Sequence, residues 1–102
     1  MDRYTVENRF ADLVRPVTEE HGFSLIRTEY VNEGGNYFLR AFIDKPGGIT
    51  IDDCVLVSRI VSKKLDREDF IAESYTMEIS SPGFMENPET EDSGQGQGEQ
   101  EE

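Results

Sequence analysis

The chain has a single cysteine, Cys54, so no intrachain disulfide can form, which agrees with a reducing compartment. Long apolar runs are missing as well. Stretches such as Val55 to Val57 and Ile60 to Val61 fall far short of the ~20 apolar residues that cross a bilayer, and no membrane span is expected. The first residues lack a basic segment followed by a long apolar run, so no secretory signal is expected and a cytoplasmic address is the default. Basic residues are absent after Arg67, whereas residues 86–102 hold seven acids. The net charge of -12 over 102 residues is therefore unevenly spread, and residues 1–85 keep about -5. A phosphate backbone is normally met by a basic face that releases counterions, so direct nucleic-acid binding is expected to be weak or absent. A chain of this length holds one small domain with a modest core.

What is present is a clear change of hydrophobic period along the chain. Thr5 is expected to cap a first helix whose apolar positions Val6, Phe10, Leu13, Val14 and Val17 recur at helical spacing. Pro16 removes a backbone donor and should kink this helix, and Gly22 should end it. From Phe23 the period becomes two. Ile26, Thr28 and Tyr30 are expected on one face of a strand, Leu25, Arg27 and Glu29 on the other. After Asn32-Glu33-Gly34-Gly35-Asn36, residues 37–44 alternate again, with Leu39, Ala41 and Ile43 opposite Phe38, Arg40 and Phe42. The two strands should form an antiparallel hairpin.

Lys45-Pro46-Gly47-Gly48 is turn chemistry. Thr50 with Asp53 reads as a capping box for a second helix, with Asp52 and Asp53 at the positive end of its dipole and Lys63, Lys64 and Arg67 at the negative end. Its inner stripe is Cys54, Val57, Ser58, Val61 and Leu65. Val55, Leu56 and Ile60 widen the apolar surface, so part of this helix is expected to face a partner or a loop. Residues 66–74 lead to a third strand, in which Tyr75, Met77 and Ile79 alternate with Thr76, Glu78 and Ser80 before Ser81-Pro82-Gly83 stops it. Its neighbour in the sheet is left open by the pattern. Beyond Met85 the composition turns to Glu, Gln, Gly, Asn and Ser, which cannot offset ordering entropy by burial, and residues 86–102 are expected to be a disordered acidic tail.

Specific residues carry a resemblance. Glu29-Tyr30-Val31, Glu33-Gly34-Gly35-Asn36, Leu39-Arg40, Ile43-Asp44-Lys45, Gly47-Gly48-Ile49-Thr50 and Asp52-Asp53-Cys54 follow one another as in the N-terminal domain of the bacterial ribosome maturation factor RimP family. Val57-Ser58-Arg59, Leu65-Asp66 and the run from Tyr75 through Ser80-Ser81-Pro82-Gly83 continue the series, so the chain resembles that family over residues 6–83. The resemblance implies a small two-layer domain and association with the free small ribosomal subunit through ribosomal proteins, including small-subunit protein number twelve, during late maturation. Family members continue past this stop with Leu-Asp-Arg-Pro-Leu into an SH3-like barrel. This chain reads Phe84-Met85-Glu86-Asn87-Pro88 instead, so the barrel is expected to be missing.

Several residues invite sharper readings. Gly34-Gly35 is explained by a hairpin turn. Asp52 and Asp53 beside Gly47-Gly48 would repel phosphate and are too few to hold a metal, and helix capping accounts for them. Cys54 and His21 could suggest a nucleophile with its base, but Cys54 falls on the inner stripe and no orienting acid is apparent, so no catalysis and no cofactor are expected. Arg40 and Arg59 either contact a partner or pair with Glu29, Glu78 or Asp53. Ser80, Ser81, Pro82 and Gly83 are either an interaction loop or a plain strand stop. A KH-type RNA reader shares a similar element order, but its Gly-x-x-Gly clamp is missing between the helices. The acidic tail either solubilises the chain or occupies basic protein surfaces.

The expected architecture is an α+β two-layer domain over residues 1–85, of order α-β-β-α-β, with both helices on one face of a three-stranded sheet. Its buried side is expected to contain Phe10, Leu13, Val17, Ile26, Tyr30, Leu39, Ile43, Val57, Val61, Leu65, Met77 and Ile79. The partner-binding candidates are Arg40, Asp52, Asp53, Arg59, Ser80, Ser81, Pro82 and Gly83. The function expected is non-enzymatic assistance of small-subunit assembly, as a monomer, by docking on a basic ribosomal protein. The alternatives are a stand-alone RNA-binding module or a truncated domain without activity of its own.

Overall fold

A computed structural model of the chain describes residues 1–82. The expected tail at 86–102 lies outside the described residues. Helix α1 spans Arg3–Glu20 and begins two residues before Thr5. Asp2 takes the capping role expected of Thr5: its carboxylate accepts the Thr5 N–H at 2.8 Å, which satisfies one of the helix's free donors. The helix continues as one element through Pro16, which removes one backbone donor on the exposed side. At the far end Phe23 N–H bonds back to the Thr18 carbonyl and Gly22 N–H to that of Glu19, with Gly22 at φ +76. Such a closure needs a left-handed residue, and Gly22 supplies it without a Cβ penalty.

Strand β1 (Ser24–Glu33) and strand β2 (Asn36–Asp44) pair antiparallel across a two-residue turn in which Gly34 and Gly35 both have positive φ. The register shifts by one residue between Leu25 and Arg27. That bulge corrects the alternation read from sequence: Tyr30 and Thr28 keep their inward parity, while Ile26 is the extra residue and is 50% exposed. Leu25 takes its place against the core. Helix α2 (Ile51–Glu68) starts with the expected capping box, Thr50 and Asp53 exchanging hydrogen bonds at 3.1 and 3.0 Å. It ends at Asp69 in the left-handed region, φ +47.

Strand β3 (Tyr75–Ser80) then returns parallel to β2, giving the order β1-β2-β3 and resolving the neighbour that the pattern left open. A parallel neighbour needs a crossover, and α2 is that crossover. The register aligns three inward rows: Tyr30, Leu39 and Met77; Thr28, Ala41 and Ile79; and the pair Leu25 and Ile43. Both helices pack on this face. Val6, Phe10, Val14 and Val17 of α1 meet Cys54, Val57, Val61 and Leu65 of α2 in one cluster with Tyr30, Leu39, Ala41 and Ile43. Leu13, Met77 and Ile79 belong to its partly buried margin. Replacing Leu39, fully buried at the middle of the sheet, by Ala should cost about 2–5 kcal/mol, whereas Ile26→Ala at the bulge should change stability by under about 0.5 kcal/mol. Urea melts of the two variants check the contrast.

Candidate functional site

The sheet face away from the helices carries a charged network built by the register. Glu29, Arg40 and Glu78 are direct neighbours across the three strands, one row from Val31, Phe38 and Thr76. Arg40 Nε donates to Glu78 at 2.7 Å, Nη1 to Glu29 at 3.2 Å and to Glu33 at 3.1 Å, and Nη2 to Glu33 at 3.1 Å. Its guanidinium also lies 4.7 Å from the Phe38 ring centroid. Of the two roles open to Arg40, the structure engages it in ion pairs with Glu29, Glu33 and Glu78. Glu33 was not singled out in the sequence because it reaches Arg40 only once the hairpin closes. Beside this network Arg27 stacks over Phe42 at 4.0 Å, and Phe42 is buried despite facing away from the helices.

The hydrogen bonds that Arg40 donates hold the Glu33 carboxyl below the usual carboxylate range, and the same bonds, to Glu33 first and then to Glu78, raise the guanidinium further. A carboxyl lowered in the folded chain adds stability above its unfolded pKa and loses it as pH falls through the folded value. Arg40→Met should leave three neighbouring acids without their cation and lower the melting temperature at neutral pH. The deficit should shrink as the pH falls below about 4.5 toward the lowered Glu33 value, where the stability that this carboxyl contributes is lost. Thermal melts of both proteins at pH 7 and pH 4 test this.

The loop before α2 is occupied by its own capping. Asp53 accepts the Thr50 N–H and lies 2.8 Å from Lys45 Nζ, and these contacts, led by Lys45, keep its carboxyl below the usual range. Asp52 is exposed beside it. Among the described residues no group of three or more His, Cys, Asp or Glu is placed to hold a metal ion. Cys54 is buried, and desolvation, followed by the charge of Asp53, pushes its thiol up to about 11. His21 instead places Nδ1 2.8 Å from the Val17 carbonyl and stacks on Phe23. With so little thiolate, Cys54 in the native chain should react with a disulfide reagent at pH 7.5 at least ~100-fold more slowly than a free thiol. A stopped-flow absorbance assay with and without denaturant measures the ratio.

Helix α2 is where unengaged groups gather. Arg59, Lys63 and Arg67 line one side with Ile60 and Lys64. Arg59, Lys63 and Arg67 form no ion pair among the described residues, while Lys64 donates to the Leu13 carbonyl at 3.3 Å. Ile51, Val55 and Leu56 are exposed large apolar residues, Ile51 by 65%. With Cys54, Arg59 and Ile79, Ile51 and Val55 form a shallow depression. Further along, between α2 and β3, a groove of about 620 Å³ is bordered by Asp66, Asp69 and Glu73. These three acids were not picked out in the sequence, since they scatter over eight residues and converge only through the turn at Asp69. Ser80 ends β3, Ser81 is buried and Pro82 is half-buried, so this strand stop forms part of the packed domain; Gly83 lies outside the described residues. The candidates thus do not converge on one site: Arg40 lies on the helix-free face, Asp52 and Asp53 at the start of α2, Arg59 on its outer side.

No helix among the described residues is long and apolar enough to cross a membrane. The profile of the RimP N-terminal domain matches residues 13–85, most of the chain and all of the structure from the middle of α1 onward. This span contains the hairpin, the crossover helix α2 and the strand β3, together with every candidate residue named above. The chain belongs to the RimP N-terminal domain family, a family of ribosome maturation factors.

Proposed function

We propose that this domain binds the immature small ribosomal subunit in the cytoplasm and assists its late assembly by docking a basic ribosomal protein, without covalent chemistry. The observation that carries the reading is the family match over residues 13–85. The sign of the charge supports the partner's class: residues 1–85 keep an excess of about five acids, and electrostatic complementarity favours a basic polypeptide over a nucleic-acid backbone. Small-subunit protein number twelve, the partner that the family resemblance implies, is of that class. The buried, protonated Cys54 thiol and the side-chain contacts of His21 with its own helix support a role without a nucleophile.

One observation favours a second reading, contact with ribosomal RNA. The cations Arg59, Lys63 and Arg67 point outward from α2 with no carboxylate paired to them among the described residues. Immobilised full chain should retain purified basic small-subunit proteins at low salt and lose them progressively over about 50 to 300 mM salt, while free small-subunit RNA passes through. Retention of naked RNA without any ribosomal protein would reverse the two readings.

A further inference from the structure

A strand at the edge of a sheet offers a row of unpaired backbone donors and acceptors, and folded chains cover or disrupt such edges. The two edges of this sheet are treated differently. Along β1 the first helix does the covering: the Glu7 carboxylate accepts the Tyr30 N–H at 2.8 Å, and the Glu7 carbonyl accepts the Thr28 hydroxyl at 2.9 Å. Along β3 there is no counterpart among the described residues. Its one neighbour is β2, and no hydrogen bond from another described segment reaches its outer backbone edge. The strand has neither proline nor lysine nor a bulge, and its one charged side chain, Glu78, is held by Arg40 on the helix-free face.

Beside this edge α2 leaves space. The groove of about 620 Å³ has Ser62 on its helix wall and Tyr75 and Met77 on its strand wall. Its charged lining is wholly acidic, from Asp66, Asp69 and Glu73. Asp66 and Asp69 have no ion-pair partner among the described residues, and Glu73 accepts the Tyr30 hydroxyl at 2.9 Å. Toward the other end of β3, Ile51 and Val55 of α2 flank Ile79, with Arg59 at the border of this depression. A strand added to β3 would direct alternate side chains toward the helix layer, over this groove.

We propose that the open edge of β3 takes up an extended basic peptide segment as a fourth strand, its Lys or Arg side chains meeting Asp66, Asp69 and Glu73 and an apolar side chain resting on Ile51, Val55 and Ile79. This deepens the proposed function and rests on its reading of a basic protein partner. Charge selects the occupant. The chain's own residues 86–102, with seven acids and no base, are repelled by the groove, and a second copy would bring the same acids against each other. An extended cationic segment from a ribosomal protein satisfies both the backbone row and the carboxylates. Six residues of β3 correspond to a contact about 20 Å long.

The test uses the full chain and its Asp66→Asn/Asp69→Asn variant; Asn tolerates the left-handed backbone at Asp69, so the fold should be kept. Each is titrated with the purified small-subunit proteins retained above and with a synthetic peptide of alternating Lys and Val, with a Glu and Val peptide as control. Amide hydrogen exchange is read residue by residue. The expected result is new protection at alternate amides of β3, for protein and basic peptide alike, and binding at least roughly fivefold weaker for the double variant. Capture of the ribosomal proteins with unchanged exchange along β3 and equal binding by the variant would overturn the edge proposal and leave the proposed function standing. If no ribosomal protein binds, the proposed function falls, and the peptide decides the edge alone: protection of β3 by the Lys peptide but not the Glu peptide upholds it, and no protection ends it.

Discussion

Strand β2 exchanges backbone hydrogen bonds along both of its edges and buries Leu39, Ala41 and Ile43 completely beneath the helices. Each other element takes its position from that strand. The hairpin sets β1 on one side by a two-residue turn, and the length of α2 carries the chain back so that β3 can lie parallel on the other. The same alternation that buries Leu39 and Ala41 turns Arg40 to the opposite face, where β1 and β3 each present a glutamate in the same row. The apolar core and the Arg40 network are thus two consequences of one register. A slip of one residue would invert both.

Covering one face of a three-stranded sheet with two helices is sufficient for a core of this size, yet it is not symmetrical. Helix α1 reaches over the outer edge of β1, and Glu7 closes part of it. Helix α2 buries Val57, Val61 and Leu65 toward the centre and presents Ser58 and Ser62 toward β3, so Met77 and Ile79, on the buried side as the pattern has them, are only partly covered. The unfilled space lies where acids from the end of α2 and the following loop converge.

The Asp69 conformation links the helix end to this surface. Left-handed backbone is costly for a residue with a Cβ, and a glycine would hold the turn with less strain. The chain places a carboxylate there instead, beside Asp66 and within electrostatic reach of Tyr75, whose phenol is pushed up by burial and then by those two charges. By contrast Asp53, near Gly47 and Gly48, is neutralised locally by Lys45 and by its capping bonds. Acids that look alike in sequence therefore differ in availability according to what the fold sets opposite them.

Much of the architecture was legible before any coordinates: the two helices, the Gly34-Gly35 hairpin, the capping box at Thr50 and Asp53, and the inner stripe of α2 all depend on neighbours a few residues away, and short-range chemistry suffices to specify them. The errors have local causes of another kind. Asp2 outcompeted Thr5 as a cap because it lies where the third helical N–H can reach it, and one extra residue at Ile26 reversed the apparent parity at the start of β1, before Arg27. What only the tertiary structure decided was the company of distant residues. Arg40 meets Glu78 across 38 positions, Tyr30 meets Glu73 across 43, and β3 settles beside β2 rather than β1. A sequence pattern records which face a side chain prefers, because burial depends on local period. It does not record which strand arrives next to which, because that is settled by the packing of the crossover helix over the whole sheet.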